Sequence, residues 1–249
     1  MANNKKQIYL ALVVFILFGS LIVYANMRDT SKTVNEIMIE KASLLSNEAY
    51  LTDIRKNLNK TQLQEVDEIK KYFISHPYIK NCEVYFPAPN KLKVNLEEKL
   101  IVAQIISNEK KYLVSADGEI IDKIIYTNPV NLPLVTGITC DGKSLVQSEQ
   151  NKLNSLLSII NSYKTVSGNL SKSLSEITWK SESQAILFVR EFSAPIYVNL
   201  KSVDKQAVYL EALLNSKQVN SSALQYAAYV DMRYDKYIFI GNESSTEIE

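Results

Sequence analysis

A run of seventeen uncharged residues, IYLALVVFILFGSLIVY, occupies Ile8 to Tyr24 and constrains this chain more than any other stretch. Seventeen mostly apolar positions are the short limit for a helix that spans a bilayer. Lys5 and Lys6 precede the run with no acid nearby, whereas Arg28 and Lys32 share their stretch with Asp29 and Glu36. That bias favours a cytoplasmic N-terminus. A cleaved signal peptide is the competing reading, because Val23-Tyr24-Ala25 fits a small-residue cleavage site. The apolar core of such a peptide is about 7–15 residues, shorter than this run. Under either reading, residues beyond about 28 lie outside the cytoplasm.

The chain beyond that run is long enough for one or two modest domains, and its composition closes several routes to function. The 28 basic and 27 acidic side chains leave a net charge of +1, which gives no support to a general nucleic-acid binder. The six glycines form neither GxGxxG nor GxxxxGK[ST]. One histidine, His76, and two cysteines, Cys82 and Cys140, do not make the usual His/Cys metal clusters. GxSxG, HExxH and CxxC are absent. The expectation is a protein with no catalytic residues, metal or cofactor.

Hydrophobic periodicity then orders the exported part. TVNEIMI (Thr33–Ile39) reads as a strand, and YLTDIRKNL places Leu51, Ile54 and Leu58 on one helical face. Asp67 is the expected N-cap of a helix carrying Ile69 and Phe73, which His76-Pro77 ends. A strand from Ile79, a turn at FPAPN and an alternating strand KLKVNLEE complete a β-α-α-β-β unit with helices on one face. Next come IVAQII and KKYLVSADGEII, strands with a tight turn at Asp117-Gly118, and the extended NPVNLPLVTG. Leu153, Leu156, Leu157 and Ile160 stripe a helix starting near Ser144–Gln147, where the spacing fits a capping box. TVSGNLSKS reads as a polar loop. EITWK, AILFVREF and APIYVNL read as strands, and Val203–Leu214 as a helix. The chain closes with QYAAYVDMRY, KYIFIG and a frayed tail at 243–249.

This order of motifs resembles the bacterial cell-division family FtsQ/DivIB. HPYIKNCEVYFPAPNKLKVNL is similar to the family's proline, "V-K-x-A-x-V", "P-N-x-L" and alternating strand. EKLIVAQI resembles "E-R-x-P-V-A", with Glu98 and Ala103 matching and Ile101 in place of proline. YLVSADGEI resembles "L-V-D-x-D-G" with Ser115 at the first acid, LPLVTG matches "L-P-x-x-x-G", and VDMRY matches "I/V-D-L-R-Y". The resemblance implies an α+β protein with a cytoplasmic stub (1–7), a membrane helix (8–25), a POTRA domain (33–104) and a β-domain (105–242). It implies a non-enzymatic scaffold in the cytoplasmic (inner) membrane at the division septum. Its β-domain would bind the FtsB and FtsL (DivIC-type) partners and link them to septal peptidoglycan synthesis, and its POTRA domain could meet other divisome components. A POTRA-containing binding module released by signal cleavage is the alternative.

By the same resemblance, the last strand lies at a sheet edge and pairs with a partner strand. Arg233 and Tyr234 fall at the family's partner-binding Arg-Tyr, and Gly241 at the glycine ending the strand; Asn242 stands where a tryptophan is often found. The residue pattern agrees. In VDMRYDKYIFIG, Val230, Met232, Ile238 and Ile240 suit the core, while Tyr237 and Phe239 make the second face apolar as well. Arg233, Tyr234, Tyr237, Phe239 and Gly241 are the expected partner-facing residues. The remaining marked residues have ordinary readings. His76 ends a helix near the surface, Cys82 and Cys140 read as two buried or free thiols although an even pair outside the cytoplasm permits a disulfide, and Trp179 is a core or sheet-face aromatic. Glu97-Glu98-Lys99 is a solvated strand end. Glu48/Asp53 and Asp117/Glu119 sit in capping or turn contexts.

Overall fold

The computed structural model describes residues 14–22, 34, 36–124, 128, 131–141, 145–216 and 222–242. The stub 1–7, Ile8, Tyr24, Ala25, Ser144 and the tail 243–249 lie outside these residues. Residues 14–22 are helical, with apolar side chains from Val14 to Ile22 exposed around the helix. Among the described residues no helix is long and apolar enough to cross a membrane. The chain divides into two units, Met1–Glu98 and Lys99–Glu249.

The first unit has the β-α-α-β-β order read from the sequence: β1 (Glu36–Glu40), α1 (Asn47–Asn57), α2 (Val66–Ser75), β2 (Ile79–Ala88) and β3 (Lys91–Glu98). β3 is central, parallel to β1 and antiparallel to β2. α1 starts where Ser46 Oγ accepts the Ala49 N–H at 3.1 Å. Its Tyr50 and Ile54 are buried, as are Ile69 and Phe73 of α2 and Leu92, Val94 and Leu96 of β3, and Tyr50 meets Phe73 edge-on at 6.3 Å. α2 starts after Glu65 with no side-chain cap, and Asp67 stands in its first turn rather than at the N-cap. There its carboxylate still faces the positive end of the helix dipole.

His76 is buried, at 6% exposure, not near the surface. Its ring packs edge-on against Tyr50 (5.1 Å) and Tyr78 (5.7 Å). Glu98 also departs from the expected solvated strand end. Its carboxylate accepts the N–H groups of Ser43 (2.8 Å) and Leu44 (3.0 Å), the Tyr50 hydroxyl (2.7 Å) and the Ser43 hydroxyl. Burial, and then this bond to Glu98, push the Tyr50 hydroxyl far above its ordinary pKa. Glu98 therefore ties the loop before α1, and α1 itself, to the end of β3.

The boundary falls at Glu98/Lys99, not after 104, because β4 (Ile101–Ser107) pairs within the second sheet. That unit continues with β5 (Lys110–Ser115), β6 (Ile120–Asp122), β7 (Leu134–Thr136), α3 (Gln147–Val166), α4 (Gly168–Ser173), β8 (Leu174–Ser181), β9 (Gln184–Val189), β10 (Ile196–Asn199), α5 (Val203–Asn215), α6 (Ser222–Gln225), β11 (Ala227–Asp231) and β12 (Phe239–Asn242). Nine strands lie in the order β12-β11-β10-β9-β8-β7-β4-β5-β6. Pairs are parallel at β4–β7, β7–β8 and β10–β11, and antiparallel elsewhere. The fold is mixed α+β.

Alternation divides this sheet into two faces. Ala103, Ile105, Val135, Ile177, Ala185, Leu187, Ile196, Val198 and Val230 join Leu153, Leu156, Ile159 and Tyr163 of α3 and Ala207 and Leu210 of α5 in one core. The intervening residues, such as Gln104, Thr136, Thr178, Ile186 and Tyr197, are half-buried on the other face. Where the sequence suggested a polar loop at TVSGNLSKS, α3 runs on to Val166 and α4 follows. Ser167 Oγ accepts the N–H groups of Asn169 and Leu170, both at 3.2 Å, which starts that short helix despite its polar sequence. α3 itself begins after Val146 without a side-chain cap.

Candidate functional site

VDMRYDKYIFIG is two strands and a chain reversal, not one strand. β11 ends at Asp231, residues 232–238 turn, and β12 runs back antiparallel with Asp231 opposite Phe239 and Val230 opposite Ile240. Two features break the alternation. Asp231 Oδ1 accepts the N–H of Arg233 at 3.0 Å, an Asx-type turn, and Lys236 adopts a φ of 71°. The division expected between core and exposed positions survives the break. Val230 and Met232 are fully buried, and Ile238 and Ile240 pack against the core. Tyr234, Tyr237 and Phe239 are 57%, 66% and 50% exposed.

The three aromatics stand together. Tyr234 meets Phe239 edge-on with centroids 5.4 Å apart, and the Tyr237 ring is 6.3 Å from Phe239. Phe239 opens β12 and the two tyrosines stand in the turn before it; β12 ends the sheet. The outer N–H and C=O groups of such a strand form a template for another strand. Behind the edge, Tyr209, Ala212, Leu213, Ser216, Lys236 and Ile238 line a groove of about 280 Å³ between α5 and the turn. Gly241 sits in close approach to Tyr229: a Cβ there would press on the Tyr229 ring, which itself packs edge-on against Tyr197 at 6.2 Å.

Arg233 is placed differently from the aromatics. Its Nε donates to both Asp231 carboxylate oxygens (2.9 and 3.1 Å), its Nη2 donates to Oδ2 (2.5 Å), and its Nη1 donates to Gln184 Oε1 (3.2 Å). The guanidinium carbon lies 5.2 Å from the centre of the Tyr197 ring. The guanidinium holds the Asp231 carboxyl below the usual carboxylate range, and Asp231 raises the arginine in turn. Asp231 was absent from the expected site residues. The signal for it was an aspartate two positions before the arginine, the spacing of an Asx turn.

The other sequence markers have structural explanations. Ser115 Oγ accepts the Glu119 N–H at 3.1 Å and its carbonyl accepts the Gly118 N–H at 3.0 Å, so a hydroxyl closes the turn where the family pattern has an acid. Gly118 and Gly137 both have a φ of 80°, and a Cβ on Gly137 would press on Trp179 at 3.0 Å. Cys82 and Cys140 are buried and form no disulfide with each other. Asp53 takes a hydrogen bond from the Tyr72 hydroxyl, and Glu119 pairs with Lys99 at 2.6 Å.

Taken together, these elements define a two-unit α+β protein whose second unit is a helix-backed sheet ending on an exposed aromatic edge. Residues 103–233 match the family described as cell division protein FtsQ/DivIB, C-terminal. The chain belongs to the FtsQ/DivIB family. Among its relatives, a cell division protein FtsQ from Myxococcus fulvus is 27% identical over 124 residues, 49% of this chain and 43% of that protein. A DivIB from Clostridium tetani is 26% identical over 108 residues, 43% of this chain and 37% of its own length. An FtsQ from Koribacter versatilis is 24% identical over 196 residues, 77% of this chain and 54% of its own. These matches thus span about half or less of the relatives' lengths. A solved structure of the major extracytoplasmic domain of DivIB from Geobacillus stearothermophilus is 14% identical and has a TM-score of 0.33. That match covers 51% of this chain and 99% of the solved one. β12 lies beyond the residues that match the family description.

Proposed function

We propose that this chain is a non-enzymatic scaffold of the division complex, anchored by a single span over 8–25 with its bulk outside the cytoplasm. Its β12 edge accepts a strand from the FtsB or FtsL (DivIC-type) partners and so couples them to septal peptidoglycan synthesis. The observation that carries this reading is the uncharged edge strand flanked by exposed Tyr234, Tyr237 and Phe239. Backbone pairing at such an edge supplies affinity, and pockets for alternate side chains supply specificity. The groove at Tyr209 and Leu213 offers one such pocket. The exposed apolar helix at 14–22 supports the anchor, since a helix apolar all round belongs in a lipid or protein interior. The first unit, by its β-α-α-β-β order, is the POTRA domain in this reading and could recruit other divisome components.

The test is Tyr234→Ala combined with Phe239→Glu. Exposed aromatic anchors at interface centres are worth about 2 kcal/mol or more each. Affinity for the FtsB-type partner from the same cell should therefore fall by at least about 100-fold, with the circular dichroism spectrum unchanged. Retained co-purification, or loss that tracks unfolding, would remove the edge from consideration.

A further inference from the structure

Arg233 and Tyr234 are adjacent in sequence, yet their side chains leave the turn in opposite directions. Tyr234 reaches Phe239 on the terminal strand. Arg233 runs the other way along the open face, over Tyr197 of β10 to Gln184 of β9. Its fork is filled by Asp231, which is itself only 6% exposed. A partner's carboxylate could displace Asp231 from this fork only by leaving a nearly buried aspartate uncompensated, which is strongly unfavourable. The bidentate geometry also needs the planar guanidinium, which a lysine does not reproduce.

We infer that Asp231 and Arg233 are positioning residues: together they pin the start of the turn 232–238 to β9 and β10, which sets where Tyr234, Tyr237 and Phe239 stand. The inference rests on the edge-strand reading for its consequence in binding, but its geometry stands apart from any partner. Asp231 opens the turn by accepting the Arg233 N–H and closes the pair by accepting its side chain. Both ends of the Asp-x-Arg spacing are thereby used inside the chain, and the tyrosine next to the arginine is the residue presented outward.

The full chain in lipid nanodiscs, labelled with ¹³C in its tyrosine and phenylalanine rings, decides the matter with Asp231→Asn, Arg233→Lys and their double variant. Asparagine keeps Oδ1 for the turn, so folding is retained while the ionic fork is lost. The ring resonances of Tyr234 and Phe239 should shift in both single variants, with those of Tyr50 unmoved. Affinity for the FtsB-type partner should fall about tenfold in each single variant and no further in the double, the non-additivity of groups acting as one unit. The salt dependence of association should stay as in the unmodified chain. If Arg233 instead meets the partner directly, Asp231→Asn frees it, binding holds or tightens, and the rings do not move; that pattern overturns the inference. If the unmodified chain does not bind the partner at all, the edge reading fails. The ring shifts alone then decide whether the pair positions the turn.

Discussion

The nine-stranded sheet has two ends, and they are built differently. At one end β6 is three residues long, carries Asp122, and lies beside Lys110, Lys111 and Lys123, which line a shallow surface depression of about 330 Å³. At the other, β12 reads Phe-Ile-Gly-Asn, without a charge, and is flanked by exposed Tyr234 and Tyr237. Short strands and lysines are common means of keeping a sheet edge from pairing with other chains. β6 is short, carries Asp122 and has lysines beside it in β5 and at Lys123, whereas β12 is nearly as short and carries no charge. Edges left unguarded in this way act as binding templates. Under the proposed function the two ends have different roles: β6 closes the sheet, and β12 is the end that takes a partner strand.

The sharpest way to break that comparison is Gly241→Ala. Its new Cβ would press on the Tyr229 ring, so either the ring moves away from Tyr197 or β12 moves away from β11. Overpacking of this kind costs about 1–3 kcal/mol, and here it falls on the strand proposed as the template. We expect partner affinity to drop by about 100-fold, while urea unfolding of the chain shows only the smaller overpacking loss. Adding Tyr229→Ala makes room for the methyl and should restore most of the binding. Wild-type affinity in Gly241→Ala alone would show that β12 is not the template.

How much of the molecule was legible in its sequence depends on which forces are local. The first unit was readable in order because each element carries its own apolar period, as Ile69/Phe73 and Leu92/Val94/Leu96 do. Partition of the hairpin into core and exposed side chains was readable for the same reason. The turn inside it was hidden, because Tyr237 and Phe239 continue an apolar pattern across a reversal set by Asp231 and by the positive φ at Lys236. α4 was hidden because a serine cap, not periodicity, creates it. His76 and Glu98 were misread because their surroundings come from distant sequence. Tyr50 packs on the one from α1, and the Ser43–Leu44 backbone binds the other.

A second way to sharpen the contrast is acid. The Asp231 carboxyl is held below its ordinary range, chiefly by Arg233, so the folded turn binds fewer protons than the unfolded chain there. Its contribution is complete above the ordinary carboxylate pKa and is lost as pH falls through the depressed value. Glu149, held low by Lys152 and the Thr139 N–H, follows the same sign in the helix layer. Because Arg233 is partly solvated, the loss attributable to the pair is about 1 kcal/mol or less. Hydrogen exchange should therefore report earlier opening of β12 than of β6 as the pH is lowered. Asp231→Asn should remove that difference. Simultaneous opening of both edges would show that the pair does not control the β12 end.

The smallest expected effect comes from unguarding β6. Replacing Lys110, Lys111 and Lys123 with threonine removes the repulsion at that end while keeping good strand formers in place, and it takes the formal net charge from +1 to −2. Each exposed charge matters by no more than a few tenths of a kcal/mol. The expected outcome is thus weak, concentration-dependent self-association seen by sedimentation, with partner binding at β12 unchanged. A variant no more associated than the unmodified chain would mean that the charges are incidental and that shortness alone closes the β6 end. Since β12 has only four residues itself, the contrast between the two ends would then have to rest on the aromatic flank: Tyr234, Tyr237 and Phe239 would supply the attraction that backbone edges of this length do not.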